Sequence, residues 1–174
     1  TKTVLYHHGI LPALPEPWQQ RLPFARRVAG VPEPMHSILV RYLERKSVTC
    51  KATTVSCLAT RLAHFGTVIA AIAPDATPAM LTRTGHIEPW MHALTRAENT
   101  KSGGVLSRAE QARRILAVAN FLREISEWEW PEAPARTLMY SSDNPRLPHP
   151  LPRFLPPDAD RRLIDTSHGR VPDL

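Results

Sequence analysis

Apolar residues recur at intervals of three and four between residues 35 and 127, which is the spacing of amphipathic helices. The first run predicts a helix over about Met35–Lys46, and the second predicts one over about Lys51–Ile72, which Pro74 ends. The stripe of the first helix comprises Met35, Ile38, Leu39, Tyr42 and Leu43. The stripe of the second comprises Val55, Leu58, Leu62, Phe65, Ile69 and Ile72. Both stripes are expected to face the core.

The second half of this region predicts two more helices, separated by a polar loop around residues 99–104. The third lies within Thr82–Ala97, where Pro89 either occupies the first turn or kinks the helix. Its inward residues would be Ile87, Trp90, Met91 and Leu94.

The fourth helix has a well-marked start, because Ser107 and Glu110 have the spacing of a capping box. In that motif the Ser107 hydroxyl accepts a hydrogen bond from the first turn, and the Glu110 side chain reaches back. The helix should end near Glu127, with a buried face of Ile115, Val118, Leu122 and Ile125. Strand patterns are nearly absent, so the predicted fold class is all-α, a small four-helix bundle.

Prolines divide the chain, because a proline inside a helix removes a hydrogen-bond donor and clashes with the preceding turn. Six of the 18 lie in residues 1–34, three in 35–127 and nine in 128–174. We therefore expect an irregular N-terminal arm over 1–34, a helical domain over 35–130 and a proline-rich linker over 131–157. An amphipathic pattern restarts at Asp158.

Composition places the chain among globular proteins, since 174 residues with 43% hydrophobic and 22% charged residues can bury a core. The net charge of +6 favours an acidic partner such as nucleic acid. With only Cys50 and Cys57, no disulfide framework is expected, and buried or half-buried thiols are favoured. The uncharged stretch Leu62–Pro74 is too short to span a bilayer, so we expect no membrane partner and a cytoplasmic location.

The order of these features resembles the core-binding domain of the tyrosine recombinases, the phage-integrase family. In VRYLERKSVTCKATTVSCLATRLAHF, the matching residues are Tyr42-Leu43, Thr54-Val55, Leu62 and Phe65. LTRTGHIEPWMHAL is similar to the third helix of that domain, and SRAEQARRILAVANFLREI to the fourth, through Phe121-Leu122. LPHPLPRFLPPDADRRLI resembles the linker into the catalytic domain, so residues 158–174 would begin that domain.

The resemblance implies a SAM-like fold and a DNA-binding role, with the second and fourth helices in major grooves of duplex DNA. The DNA-binding residues it indicates are Lys51, Thr53, Thr54, Lys101, Ser102, Arg108, Arg113 and Arg114. It implies double-stranded DNA and other recombinase protomers as partners, and a bacterial or phage-encoded, nucleoid-associated protein. The family's catalytic residues lie downstream, so we expect no enzyme activity from this chain alone, and no cofactor, metal or small-molecule substrate.

A basic segment supports the same role. Its eight basic residues are Arg21, Arg26, Arg27, Arg41, Arg45, Lys46, Lys51 and Arg61. Only Glu33 and Glu44 oppose them, so the segment alone carries +6, and such a surface attracts phosphates. The competing interpretation is a solvated surface, in which Glu110 pairs with Arg113 and Arg114 at helical spacing.

Other functions remain open to different degrees. A helical protein-interaction module that recruits partners through its proline-rich flanks is the main alternative. A helix-turn-helix regulator is disfavoured because no short glycine-bearing turn joins two compact helices. His86 and His92 have the wrong spacing for a helical metal pair. For Trp128 and Trp130, packing over the end of the bundle is preferred to stacking on DNA.

Overall fold

The structure is a computed structural model that describes residues 22–99 and 103–147. Within these ranges the chain is mostly helical and has no strands, which confirms the all-α fold class. The α-helices are α1 (Phe24–Arg27), α2 (Met35–Thr49), α3 (Ala52–Ile72), α4 (Glu88–Arg96) and α5 (Arg108–Glu127). Shorter turns are a π-helical turn at Arg83–Ile87 and 3-10 turns at Pro78–Met80 and Ser141–Asp143.

Helix α2 buries every residue of its predicted apolar stripe. It continues to Thr49, three residues beyond the predicted end, and stops because Cys50 is extended. Its start is capped from outside the helix. The Glu33 carboxylate accepts hydrogen bonds from the Ser37 amide at 3.2 Å and from its hydroxyl at 2.6 Å.

Helix α3 begins at Ala52, with Lys51 as its N-cap, and is the longest element of the described residues. Its buried residues are Val55, Ala59, Leu62, Phe65, Gly66 and Ile69. The predicted stripe is wrong at its end, since Ile72 is 43% exposed and Leu58 is only half-buried. Small Ala59 and Gly66 are buried instead, because close helix contacts require small side chains there.

The predicted third helix is built in two parts. Residues 83–87 form the π-helical turn, and α4 follows with Pro89 in its first turn, where the missing N–H is harmless. Pro89 therefore does not kink α4. Trp90, Ile87 and Leu94 are buried as predicted, whereas Met91 is half-buried.

Helix α5 starts as predicted, but its capping box is only half formed. The Ser107 hydroxyl accepts a hydrogen bond from the Glu110 amide at 3.3 Å. The Glu110 carboxylate does not return to the N-cap, because it contacts Arg61 on α3 instead. Ile115, Val118, Leu122, Ile125 and also Phe121 are buried.

Two edge-to-face aromatic pairs join the helices inside the core. The Tyr42 and Phe121 ring centroids lie 4.9 Å apart, and those of Phe65 and Trp90 lie 5.2 Å apart. The Tyr42 hydroxyl donates to Glu124 Oε2 at 2.8 Å. Burial raises the pKa of Tyr42, with the Glu124 hydrogen bond adding to the effect. Tyr42 is therefore a core residue, as the sequence predicted.

The packed core extends beyond the predicted domain limits of residues 35 and 130. Val28 and Val31, from the predicted arm, are buried, as are Leu138 and Met139 from the predicted linker. These apolar residues pack into the same core as the helices. The segment before α2 and the segment after α5 are therefore part of the helical domain. Residues 148–157 of the predicted linker and 158–174 lie outside the described residues.

Arg83 anchors the segment that follows α5. Its guanidinium donates to the Leu138 carbonyl at 2.9 Å and to both Asp143 oxygens, at 2.9 and 2.6 Å. These hydrogen bonds lower the pKa of Asp143. A two-pronged ion pair of this kind orients a segment as well as attracting it.

Replacing Phe65 with alanine should remove the centre of the core. Phe65→Ala should lower the free energy of unfolding by about 3–5 kcal/mol, because it leaves a cavity beside Trp90. Val48→Ala, at a position of α2 that is 84% exposed, should change it by less than about 0.5 kcal/mol. Urea unfolding followed by circular dichroism measures both. Similar losses for the two variants would contradict the assigned core.

Candidate nucleic-acid interface

The predicted residues of the second helix lie at the exposed start of α3. Lys51 is the N-cap residue, and Thr53 and Thr54 occupy the first turn, all three exposed to solvent. All three side chains lie at the N-terminal end of α3, before most of its buried residues. The structure therefore leaves these side chains accessible to a ligand.

The predicted residues of the fourth helix lie at the start of α5. Arg108 is the first helical residue and is exposed, and the Arg113 side chain is 64% exposed. Arg114 differs, because its side chain is only 12% exposed. Lys101 and Ser102 lie outside the described residues.

Arg61 connects the two helices; it belongs to the basic segment seen in the sequence but is not among the eight predicted DNA-binding residues. The Arg61 Nε and Nη2 atoms lie 3.2 and 3.4 Å from the two oxygens of Glu110. The same carboxylate lies 3.6 Å from Arg113 Nη1 and 3.7 Å from Arg114 Nε. The expected Glu110 pairs with Arg113 and Arg114 are present, but both are longer than the contact with Arg61. We call Arg61, Arg113, Arg114 and Glu110 the arginine cluster.

The arginine cluster carries an excess of positive charge, since three guanidinium groups surround one carboxylate. Partial burial opposes ionisation of Glu110, but the hydrogen bond and charge of Arg61, together with the charges of Arg114 and Arg113, lower its pKa. Burial lowers the pKa of Arg114, and Glu110 opposes that shift. The carboxylate therefore stays ionised, and among the residues that the structure describes the three guanidinium groups exceed their carboxylate partner by two positive charges.

His64 lies beside this cluster on α3. Its Nδ1 atom is buried and has no hydrogen-bond partner among residues 22–99 and 103–147. The Nε atom of Arg114 is also buried, and its contact with Glu110, at 3.7 Å, is longer than a hydrogen bond. Burial, assisted by the charge of Arg114, lowers the pKa of His64 to about 4. A buried polar atom without a hydrogen-bond partner lowers stability.

Thr54 and Arg61 share one face of α3. They are seven residues apart, so they lie within about 20° of each other around the axis and about 10 Å apart along it. Cys57 lies between them, and its thiol is free and exposed. The sequence expectation of a buried or half-buried thiol is wrong for Cys57, which points away from the core, and right for Cys50. The exposed start of α3 and the arginine cluster thus form one continuous surface.

Other basic residues of the Arg21–Arg61 segment are engaged elsewhere in the fold. Arg27 donates to Ser56, and Arg41 donates to Glu132 at 2.6 Å. Lys46 Nζ lies 3.0 Å from Glu124. Sequence reasoning missed these pairs because both acidic partners are about 80 or more positions away. Arg21 lies outside the described residues.

Two tryptophans cover the end of the bundle, as the sequence predicted. Trp128 and Trp130 pack against the core and are partly buried. The Arg45 guanidinium lies 4.2 Å from the Trp128 ring, and that of Arg41 lies 3.8 Å from the Trp130 ring. These cation–π contacts direct two more basic side chains to intramolecular partners.

A second surface feature is an apolar groove of about 670 Å³ between α5 and the segment that follows it. Its walls include Leu116 and Tyr140, which are 52% and 53% exposed. Nothing in the groove is a nucleophile paired with a base. It has the character of a contact surface rather than of a reaction site.

Within residues 22–99 and 103–147, no group of three His, Cys, Asp or Glu side chains could hold a metal ion. In the same ranges, α3 is long and apolar enough to cross a membrane, with a mean hydropathy of 1.5. Core helices satisfy the same criterion, and α3 contributes six residues to the buried core. Its composition therefore gives little support to a membrane role.

Comparisons with protein-family models, with curated proteins and with solved structures found no match to this chain. The resemblance to tyrosine recombinases therefore depends on the sequence motifs themselves.

Acid should destabilise the fold through His64. The unfolded side chain binds a proton near pH 6.5 and the folded one only near pH 4, so the unfolded state is favoured as pH falls through this window. His64→Gln should reduce the loss of unfolding free energy between about pH 7 and about pH 5. Denaturant titrations at both values measure this loss. His92→Gln, at an exposed position, should retain the full loss, and an equal loss in both variants would exclude His64 as the cause.

Proposed function

We propose that this chain is a helical module that binds duplex DNA, of the kind with which tyrosine recombinases grip a recombination half-site. Its partner would be double-stranded DNA, with further protomers bound beside it, and the chemistry would belong to a catalytic domain. The arginine cluster is the observation that carries this proposal. It joins α3 and α5, which are the two helices that the family resemblance assigns to DNA.

The charge balance of the cluster supports a phosphate-binding role. A purely structural ion pair needs one cation for one carboxylate, whereas here three arginines share Glu110. Arginine suits phosphate because its planar fork can donate two hydrogen bonds to one group. Arg113, at 64% exposure, can donate to a ligand without any rearrangement of the fold.

The exposed polar residues outside the arginine cluster could fix the position of the protein along the duplex. Lys51, Thr53 and Thr54 are exposed at the start of α3, and Arg108 is exposed at the start of α5. Hydroxyl and ammonium groups of this kind contact phosphate oxygens and position a protein without reading sequence. The proposal therefore assigns positioning to these residues and leaves base recognition unassigned.

The second candidate is a protein-interaction module, and the apolar groove beside α5 favours it. Leu116 and Tyr140 expose apolar surface there, as expected of a contact site. The groove contains Arg123 and Glu127, which pair with each other at 2.7 Å. Arg136 also lines the groove, so two arginines face one glutamate there, against three arginines and one glutamate in the arginine cluster. The two candidates use different ends of α5.

Arg113→Gln and Arg123→Gln form a matched test of the DNA proposal. Both arginines lie on α5, both are more than half exposed, and each contacts a glutamate. Arg113→Gln should weaken duplex binding several-fold and reduce the slope of log K against log salt by about one. Arg123→Gln should leave both unchanged. Fluorescence anisotropy at several salt concentrations measures these values, and no duplex binding at low salt, or equal effects of the two variants, would contradict the proposal.

Alkylation of Cys57 provides an independent footprint. In a Cys50→Ser background the Cys57 thiol lies between Thr54 and Arg61, so bound duplex should slow its reaction with a maleimide several-fold. High salt should restore the rate, because it dissociates phosphate contacts.

A control thiol tests whether the protection is local. Thr95→Cys, made in a variant with Cys50→Ser and Cys57→Ser, places an exposed thiol on α4. Duplex DNA should not change its reaction rate. Equal protection of both thiols, or of neither, would place the DNA elsewhere.

A further inference from the structure

The contacts of Glu110 are longer than those of three of the four other arginine–carboxylate pairs of the described residues. Its four nitrogen–oxygen distances run from 3.2 to 3.7 Å. In contrast, Arg83–Asp143 and Arg41–Glu132 close to 2.6 Å, and Arg123–Glu127 closes to 2.7 Å. The fourth pair, Arg83–Glu88, is of similar length to the Glu110 contacts, at 3.3 Å. Charge-assisted pairs usually lie at about 2.7–2.9 Å. Glu110 is thus shared among three arginines and holds none of them tightly.

The hydrogen-bond donors of the cluster exceed what one carboxylate can accept. Each guanidinium has about five N–H donors, and a carboxylate has about four acceptor positions. The Nε atom of Arg114 lies 3.7 Å from Glu110 and forms no hydrogen bond within the part of the chain that the structure describes. A further oxyanion would satisfy donors and reduce the positive charge, whereas a further cation would do neither.

Glu110 also occupies the place where such an oxyanion would bind best. Its two oxygens meet the Nε and Nη2 atoms of Arg61, which is the fork that a phosphodiester with two free oxygens would use. A carboxylate and a phosphodiester are both singly charged, and they would repel each other if both contacted the fork. One must move away when the other binds.

We infer that Glu110 is a removable substitute for a DNA phosphate, which holds Arg61 and Arg113 in position and yields the Arg61 fork to a phosphodiester when duplex binds. This inference rests on the proposed function. Glu110 would then compete with the DNA phosphate for Arg61 and weaken DNA binding, while it keeps the arginine side chains ordered in the free protein. Binding would then release the carboxylate to solvent, where its charge is hydrated.

Glu110→Gln tests the inference, with Glu127→Gln as its control. Both substitutions remove one negative charge from α5 and one ion-pair partner of an arginine, about 26 Å apart along the helix. Glu110→Gln should tighten duplex binding about three- to tenfold at low salt and steepen the salt slope by up to about one. Glu127→Gln should match the parent chain. Adding Arg61→Gln to Glu110→Gln should abolish the gain.

A measurement on the parent chain does not depend on the stability of any variant. The Nε–H resonance of Arg61 should shift when duplex is added, because its acceptor changes. The Nε–H resonance of Arg83, whose Nε lies 3.3 Å from Glu88 Oε1, should not shift. An Arg61 resonance that stays fixed at saturating DNA would overturn the inference.

The outcomes separate this inference from the function on which it rests. Duplex binding by the parent chain, with Glu110→Gln no tighter than Glu127→Gln, overturns the inference and leaves the proposed function standing. Two outcomes support the inference. Either Glu110→Gln binds duplex and the parent chain does not, or Glu110→Gln binds more tightly than the parent chain and loses this gain when Arg61→Gln is added. Absence of duplex binding by the parent chain and by Glu110→Gln alike overturns both.

Discussion

Helices α1, α2, α4 and α5 all pack against α3, so the burial of its apolar side holds the other elements in place. The closest approach is at Gly66. A Cβ atom there would lie 2.7 Å from Val31 Cγ1 and 3.3 Å from Leu39 Cδ1. Glycine within a helix costs about 0.5–1 kcal/mol relative to alanine. Here that cost permits the segment before α2, and α2 itself, to lie directly on α3.

This central position of α3 also determines where charge can collect. One side of α3 is fully occupied by the core, so Thr54, Cys57 and Arg61 must lie toward solvent or toward the start of α5. Arg61 meets Glu110 there, and the other two arginines of the cluster follow one turn later on α5. The same packing that stabilises the fold thus brings three guanidinium groups to one carboxylate.

The basic residues that appear continuous in the sequence divide into two groups in the fold. Arg41, Arg45 and Lys46 are matched by Glu132, Trp128 and Glu124, which come from α5 and the segment after it. These pairs hold the end of the bundle together. The arginine cluster is different because its charge is not balanced locally. The charge count of the basic segment therefore included residues that are paired within the fold, and of the cluster it included only Arg61.

The sequence by itself determined helices α2 to α5, because the periodicity of apolar residues depends only on local backbone geometry, but it did not predict α1, which lies in the segment expected to be irregular. It placed Tyr42 and Phe65 in the core, Ser107 at the start of α5 and Pro89 within a first turn or at a kink. Only the tertiary structure decided that Glu110 would contact Arg61, and that Leu138 and Met139 would complete the core. Those contacts join residues far apart in the chain, and no local pattern specifies which distant partner a side chain meets. The candidate interface was likewise decided by the tertiary structure, since it exists only where α3 and α5 come together.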